Sequence, residues 1–419
     1  MIVAIIGQGY VGLPLTLMAL NAGHTVLAVE SGPARLASLQ NGQSYIPDVP
    51  SEALGRAIDA GRLVPMADLS EATPADVYVI AVPTPITKGD APDLTFVDGA
   101  VSTIAGVSDF PEGALVAVES TIYPGAMRQH VTPRLERATG RRAGQDVYLA
   151  YSPERVDPGR TDLALADVTK LVAGTCEESQ LRAQKFYETM FRHVHAVSSC
   201  EVAEFAKLLE NTFRYVNIAF VNELAMAARN ADIDFREVVA AASSKPYGFM
   251  AFHHGPGVGG HCLPNNVRYL AHALEQSGVA SSMLSAALEI NESAPVYVAD
   301  RMAKALANSG LPLAGSTVIL VGLAYKAGVP DVRASPALRL IDLLQERGAT
   351  VQVVDPLAAG EADRLGLTCV TPTLEDCRAA DAVLIVTDQD GVDYDMIARE
   401  SAIILDCRGR IKLPSVEQL

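Results

Sequence analysis

Residues 1–14 read MIVAIIGQGYVGLP, a β-branched run followed at once by Gly7-x-Gly9-x-x-Gly12. Ile2–Ile6 is continuously apolar, as a parallel strand covered on both faces should be. In the turn after it, the first glycine permits a tight bend. The second lets backbone approach a pyrophosphate, and the third permits close helix–strand packing. The helix that opens there offers free N–H groups and partial positive charge to a diphosphate. A merely glycine-rich turn explains GxGxxG by itself equally well. Glu30 shifts the balance: it lies 18 residues past Gly12, at the end of the next strand, Thr25–Val29. A carboxylate there accepts hydrogen bonds from adenosine ribose hydroxyls and repels a 2′-phosphate. The expected cofactor is therefore NAD.

Working outward, further apolar runs at Val77–Val82, Leu115–Glu119 and Val147–Ala150 alternate with helical patterns. This predicts a doubly wound α/β sheet over residues 1–199. Glu201–Arg229 then runs about 29 residues without Gly or Pro, about 43 Å of helix. It is apolar round much of its circumference and is expected to be covered on most sides, bridging two domains or packing on a second copy of itself. From residue 309 a second α/β unit is expected, with strands Thr317–Gly322, Val351–Asp355, Ala382–Thr387 and Ala402–Asp406. Its first helix is punctuated by Ser335 as N-cap, Pro336 at the first helical position and Gly348 past the end. The predicted fold is α/β, with two Rossmann-like doubly wound domains (1–199 and 309–419) joined by a long central helix and a helical dimerisation domain (200–308).

Composition narrows the partners. With 33 Lys+Arg against 49 Asp+Glu, the net charge of −16 disfavours nucleic acid and anionic membrane, whose binding needs a basic surface. Six scattered cysteines show no CxxC pair or metal-ligand spacing, which fits free thiols in a reducing compartment and no metal site. No apolar stretch approaches about 20 residues, and the amino-terminal run is too short for a signal peptide. The expected location is cytoplasmic.

The chemistry-bearing residues fall at strand ends and in one loop. Pro83 and Thr84 end one strand and Ser120 and Thr121 another, where ligands of open α/β sheets sit; helix capping is the other reading of such hydroxyls. Gly255-Pro-Gly-Val-Gly-Gly-His-Cys262 has a backbone free to wrap closely round a ligand. Cys262 ends it either as a reactive thiol or as a small core residue. Lys207 and Asn211 share a helix face, which Arg214 continues; a snorkelling side chain is the alternative for the lysine. Glu154 follows a strand as a domain-crossing acid/base or a solvated loop acid. His261 is a proton shuttle or a structural donor.

Taken in order, GQGYVGLP, VPTP, ESTIYPG, SPERVDPG, AEFAKLLENTFRYVNIAFVNELA, GPGVGGHC, GLAYKAGVPDVRASPAL and DCRGR resemble the UDP-glucose/GDP-mannose dehydrogenase family over essentially the whole chain. The resemblance implies an NAD-binding domain, a helical spine that forms a homodimer and a carboxy-terminal domain for a UDP-sugar. It also implies oxidation of a sugar C6 alcohol to a carboxylate with two NAD⁺. By the same resemblance Gly7, Gly9, Tyr10, Val11, Gly12, Glu30, Arg35, Pro83, Thr84, Ser120 and Thr121 hold NAD, with Arg333 reaching it from the last domain. Cys262 would trap the aldehyde as a thiohemiacetal that is oxidised to a thioester. Lys207 and Asn211 would stabilise the negative oxygen, Glu154 would act as general base and Thr121 would position a water. Substrate contacts are implied at Glu154, Arg155, Lys207, Asn211, Arg214, Lys245, Phe249, Gly257, Gly259, Tyr325, Lys326 and Arg408.

One departure stands out. Asn266 occupies the position where the family carries an aspartate that assists thioester hydrolysis, and an amide cannot take a proton. Either the second half-reaction is slow or the carboxylate role moves to Glu154. His253-His254 stands where relatives tend to have Tyr-Pro. The motifs point to the branch oxidising UDP-N-acetylglucosamine, with UDP-glucose as runner-up. A two-electron 3-hydroxyacid dehydrogenase and a non-catalytic sugar-nucleotide-binding protein are the readings from other classes.

Overall fold

The apolar amino-terminal run forms β1 (Ile2–Ile6), with Val3–Ile6 buried. It is flanked by β2 (Thr25–Val29) and β4 (Val77–Ile80); β3 (Leu63–Met66) lies beyond β2. On the other side follow β5 (Ala114–Val118), β6 (Val147–Tyr151), β7 (Lys170–Gly174) and β8 (Val194–Ala196). The order is β3-β2-β1-β4-β5-β6-β7-β8, parallel except between β6 and β7. Its first six strands have the order of a dinucleotide-binding sheet. All of β4 and β5 is buried, which explains their unbroken hydrophobicity.

The computed structural model describes residues 1–419 apart from Pro158, which belongs to the SPERVDPG motif, and Thr161. Contacts divide the chain into two compact units, Met1–Glu210 with Arg268–Val279, and Asn211–Val267 with Ala280–Leu419. Six helices matter below: α1 (Gly12–Asn21), α2 (Glu177–Tyr187), α3 (Cys200–Asn230), α4 (Cys262–Gln276), α5 (Ser282–Asn308) and α6 (Pro336–Glu346). Among the described residues no helix is long and apolar enough to cross a membrane.

The second unit holds β9 (Thr317–Val321), β10 (Thr350–Val354), β11 (Ala382–Ile385), β12 (Ile404–Asp406) and β13 (Glu417–Gln418). They form an all-parallel sheet in the order β10-β9-β11-β12-β13. As the sequence suggests, Ser335 caps α6: its Oγ accepts the Ala337 N–H at 3.2 Å.

Several expectations need correction. The strands read through Val82, Glu119, Gly322, Asp355 and Thr387 all stop before those residues, which occupy the carboxyl ends where the chain turns. Conversely, β12 begins only at Ile404. β3, β7, β8 and β13 are not evident from sequence because they are short, polar or headed by a charge, as in Lys170-Leu-Val-Ala-Gly. Within this chain α3 is covered on only part of its circumference, which leaves its expected packing on a second copy untested. Ala203, Leu208, Tyr215, Ala219, Val221 and Ala225 are buried, whereas Val202, Phe205, Leu209, Phe213, Phe220 and Leu224 remain exposed.

Candidate active site

In the first unit the glycine motif forms a cradle. Gly7 has φ +94°, and a Cβ there would lie 2.6 Å from the Ala81 carbonyl oxygen; one on Gly12 would fall 1.8 Å from the Gly7 oxygen. Neither position admits a side chain. The N-cap residue of α1, Val11, makes no side-chain cap. Glu30 is buried beside this turn, its Oε1 accepting the Gly32 N–H at 2.8 Å and its Oε2 the Gln8 N–H at 3.3 Å. Tyr45, which no sequence motif marks, donates its hydroxyl to the Gln8 carbonyl at 2.8 Å, and the exposed Arg35 lies over its ring. A helix end without a side-chain N-cap, a backbone cradle closed to any Cβ and a nearby acid together fit a dinucleotide.

Around the neighbouring strand ends, hydroxyls mainly lace the backbone. Ser120 Oγ accepts the Val82 N–H at 2.9 Å and donates to the Val82 carbonyl at 2.8 Å. Cofactor contact and helix capping, the two roles its sequence position suggests, both overlook this tie between strand ends. Thr84 is buried and bonded to Tyr269, whereas Pro83 is exposed and Thr121 half-buried. Tyr10 and Val11 are half-buried on the turn, and a Cβ on Gly9 would meet nothing within 4 Å.

Charge is concentrated just beyond. Glu154 is buried, not a solvated loop acid: its Oε2 lies 3.2 Å from Lys207 Nζ, and its Oε1 accepts the Val156 N–H. Lys207 is buried as well and does not snorkel. A second buried pair, absent from the sequence expectations, joins Lys170 Nζ to Glu119 Oε2 at 2.8 Å. Burial pulls the Lys170 ammonium below its ordinary pKa while the Glu119 carboxylate opposes that shift. One helical turn before Lys207, Glu204 accepts N–H bonds from Gly125 and Met127, and burial raises its pKa to about 7. Arg155 forms an ion pair with Glu210 and donates to the Thr169 carbonyl.

In the second unit the glycine loop answers to the protein's own atoms before any ligand. A Cβ on Gly255 would lie 2.8 Å from Arg408 Nη1, and one on Gly259 would lie 2.7 Å from the Ala334 oxygen and 2.8 Å from Tyr325 Cβ. At Gly257 the nearest atom is the Asn291 oxygen, 3.2 Å away. Two buried amides hold the start of the loop. Asn222 Oδ1 accepts the Gly255 N–H at 2.9 Å, and Asn222 Nδ2 donates to Asn291 Oδ1 at 2.9 Å.

At the end of that loop Cys262 is the one exposed cysteine of the six and the first residue of α4. That excludes the small-core-residue reading. A helix amino terminus favours the thiolate. Asn266 follows one turn later on the same helix, buried, with Nδ2 lacking a hydrogen-bond partner. Burial, with Arg333 nearby, lowers the His261 pKa. His254 is buried against the Leu419 carbonyl at 2.9 Å, and its pKa falls to about 4, so it anchors the chain end.

Of the remaining residues, Arg408 donates Nε to the Val386 carbonyl at 2.6 Å. Tyr325 and Lys326 are half-buried in the loop after β9. Arg333 is exposed and forks onto Asp331. Asn211 is half-buried, and Arg214, Lys245 and Phe249 are exposed.

The sequence matches the UDP-glucose/GDP-mannose dehydrogenase family in all its segments: the NAD binding domain over residues 1–195, the central domain over 201–293 and the UDP binding domain over 319–412. It is 33% identical to the UDP-N-acetyl-D-mannosamine dehydrogenase of Pyrococcus horikoshii across 99% of this chain and 97% of that one. A solved structure of the UDP-D-ManNAc dehydrogenase from that organism aligns with a TM-score of 0.89 at 30% identity, covering 100% and 99% of the two chains. The UDP-N-acetyl-D-glucosamine 6-dehydrogenase of Pseudomonas aeruginosa is 34% identical over 86% of this chain and 83% of its own. A solved UDP-glucose dehydrogenase from Pyrobaculum islandicum aligns with a TM-score of 0.89 at 27% identity, covering 100% and 96%. This chain therefore belongs to the UDP-glucose/GDP-mannose dehydrogenase family and is an NAD-dependent oxidoreductase with the family's NAD-binding, central and UDP-binding segments.

Proposed function

We propose that the protein oxidises the C6 hydroxymethyl of a UDP-N-acetylhexosamine, UDP-N-acetylglucosamine first, to the uronate, with Cys262 as the covalent nucleophile. The observation that carries this reading is the lone exposed cysteine at the amino end of a 15-residue helix, directly after a loop held by buried amides. When bound, NAD⁺ supplies a hydride acceptor, one cofactor for each two-electron step. The cradle of Gly7, Gly9 and Gly12, with Glu30 and Tyr45 beside it, would hold that cofactor; Tyr10, Val11, Arg35, Pro83, Thr84, Ser120 and Arg333 are further proposed contacts.

A base removes the alcohol proton in the first oxidation, and the Cys262 thiolate adds to the aldehyde carbon to give a thiohemiacetal. The second oxidation leaves a thioester. Water then cleaves the C–S bond, giving carboxylate and free thiol. Lys207 and Asn211 supply the cation and amide donor for the negative oxygen that each stage develops. Glu154 is the general base of hydrolysis, with Thr121 orienting the water. Arg155, Arg214, Lys245, Phe249, Gly257, Gly259, Tyr325, Lys326 and Arg408 are the proposed contacts to the UDP-sugar. The exposed apolar residues of α3 support a homodimer through that helix, and six cysteines outside any disulfide support a reducing, cytoplasmic setting.

Purified enzyme offered UDP-GlcNAc, UDP-ManNAc, UDP-Glc and GDP-Man should release two NADH per UDP-GlcNAc. Two NADH from UDP-Glc and none from UDP-GlcNAc would give the runner-up its place. Cys262→Ser should lower uronate formation by about a thousandfold or more; undiminished uronate would end the covalent mechanism. Because Asn266 cannot accept a proton, hydrolysis should be slower than with an acid there. Asn266→Asp is expected to shorten the acyl-enzyme lifetime seen by intact mass after rapid quench. An unchanged lifetime would show that the amide costs nothing.

A further inference from the structure

We propose that the buried Glu119–Lys170 pair is a positioning device for Glu154, fixing the peptide that carries it so that the carboxylate meets Lys207. This deepens the reading above and rests on Glu154 acting as general base.

Topology comes first. β5 and β7 lie on either side of β6, whose continuation is Ser152-Pro153-Glu154. Glu119 directly follows β5 and Lys170 opens β7, so their ion pair straddles the chain leaving β6. The two residues also grip one peptide unit from both sides. Lys170 Nζ donates to the Pro153 carbonyl at 3.4 Å. The N–H of the same peptide, on Glu154, donates to the Glu119 carbonyl at 3.4 Å. A trans peptide points these groups in opposite directions, so holding both fixes its plane.

The pair itself is closely braced. The Tyr187 hydroxyl, from α2, donates to Glu119 Oε1 at 2.8 Å, and the Lys170 ammonium lies 4.9 Å from the Tyr187 ring centroid and 5.3 Å from that of Phe191. Glu119, Lys170 and Glu154 line one cavity of about 10 Å³, room for a single water. If only a tie between strands were needed, apolar side chains of similar volume would serve at least as well, because burying two charges is costly. Ionic partners bring the ammonium needed to hold a carbonyl and balance the two carboxylates of this patch against two lysines.

The decisive variant is Glu119→Gln/Lys170→Met, which removes both charges and leaves neither orphaned. With UDP-GlcNAc, or whichever UDP-sugar proves active, its kcat should fall roughly tenfold or more, within the range of a general base's contribution. Apparent KM should fall together with kcat, so that kcat/KM for sugar and NAD⁺ stays within about threefold, and acyl-enzyme should accumulate; a loss confined to hydrolysis is not what loosened packing produces. If the double variant fails to fold, Glu119→Asp, which withdraws the carboxylate by one methylene, should show the same split at about fivefold. A folded variant with unchanged kcat, or with KM rising in step as kcat falls, overturns the proposal. Glu154→Gln runs in parallel. If it hydrolyses its acyl-enzyme normally, the general-base reading fails; if it is slow while the double variant is normal, only the positioning role fails.

Discussion

Glu30 and Asp355 stand at the same place in the two sheets, each just past the strand beside the first one, yet the protein treats them differently. The turns next to them begin alike. Gly7 and Gly322 have φ of +94° and +91°, and a Cβ on either would strike the backbone after the adjoining strand, at 2.6 Å from the Ala81 oxygen and 2.2 Å from the Thr387 oxygen. There the likeness ends. Asp355 accepts N–H groups from Leu323, Ala324, Leu357 and Ala358 at 2.9–3.0 Å, plus a longer bond from Gln389. Glu30 accepts two backbone N–H groups, one of them at 3.3 Å. Likewise α6 is capped by the side chain of Ser335, whereas Val11 at the N-cap of α1 makes no such bond. One sheet spends its acid and its helix end on itself, and the other commits fewer bonds to its acid and no N-cap side chain to its helix. Fold position therefore does not assign chemistry; the protein's own unused donors and acceptors do.

Substitutions at the two acids put that difference at risk. Asp355→Ala strips an acceptor from four backbone amides, three of them buried, and should cost about 3 kcal/mol of stability or more, read as a drop in Tm. Glu30→Gln should leave Tm nearly in place but weaken NAD⁺ about tenfold by calorimetry, one charge-assisted bond's worth. Equal losses of stability at both sites would erase the distinction.

The smallest expected effects come from pH and run in opposite directions in the two units. Glu204, in the first, titrates near 7 when folded, above its ordinary range, so its protonated form is favoured there. Its stabilisation is complete below about pH 4.5 and is lost as pH rises to 7. His254, in the second, falls to about 4. Its contribution is present above about pH 6.5 and is lost as pH falls toward 4. Glu204→Gln should flatten the Tm profile only on the rising side, and His254→Gln only on the acid side, each by a few degrees. A Tm profile unchanged in both variants would show that neither group sets the pH response.

Much of the molecule is legible in sequence where the pattern is local. GQGYVG followed by Glu30 identifies the cradle because turn geometry and helix polarity act over a dozen residues. Ser335-Pro336 identifies a helix start for the same reason. The Glu119–Lys170 pair is not legible: 51 residues separate its members in sequence, and a lysine heading an apolar strand looks like an exposed edge. Tyr45 likewise reaches the Gln8 carbonyl only because the chain between them folds back. What covers α3 is not legible either, because a helical wheel reports which faces are apolar, not which of them this chain itself covers.

What the linear chain decided alone was its class of fold, its cofactor motif and the thiol that ends its glycine loop, since each depends on residue type and short spacing. Tertiary structure decided which of these groups remain available. Whether Glu30, Asp355, Glu154 or Lys207 has bonding capacity to spare depends on donors and acceptors brought in from distant segments, and burial makes every unmatched one expensive.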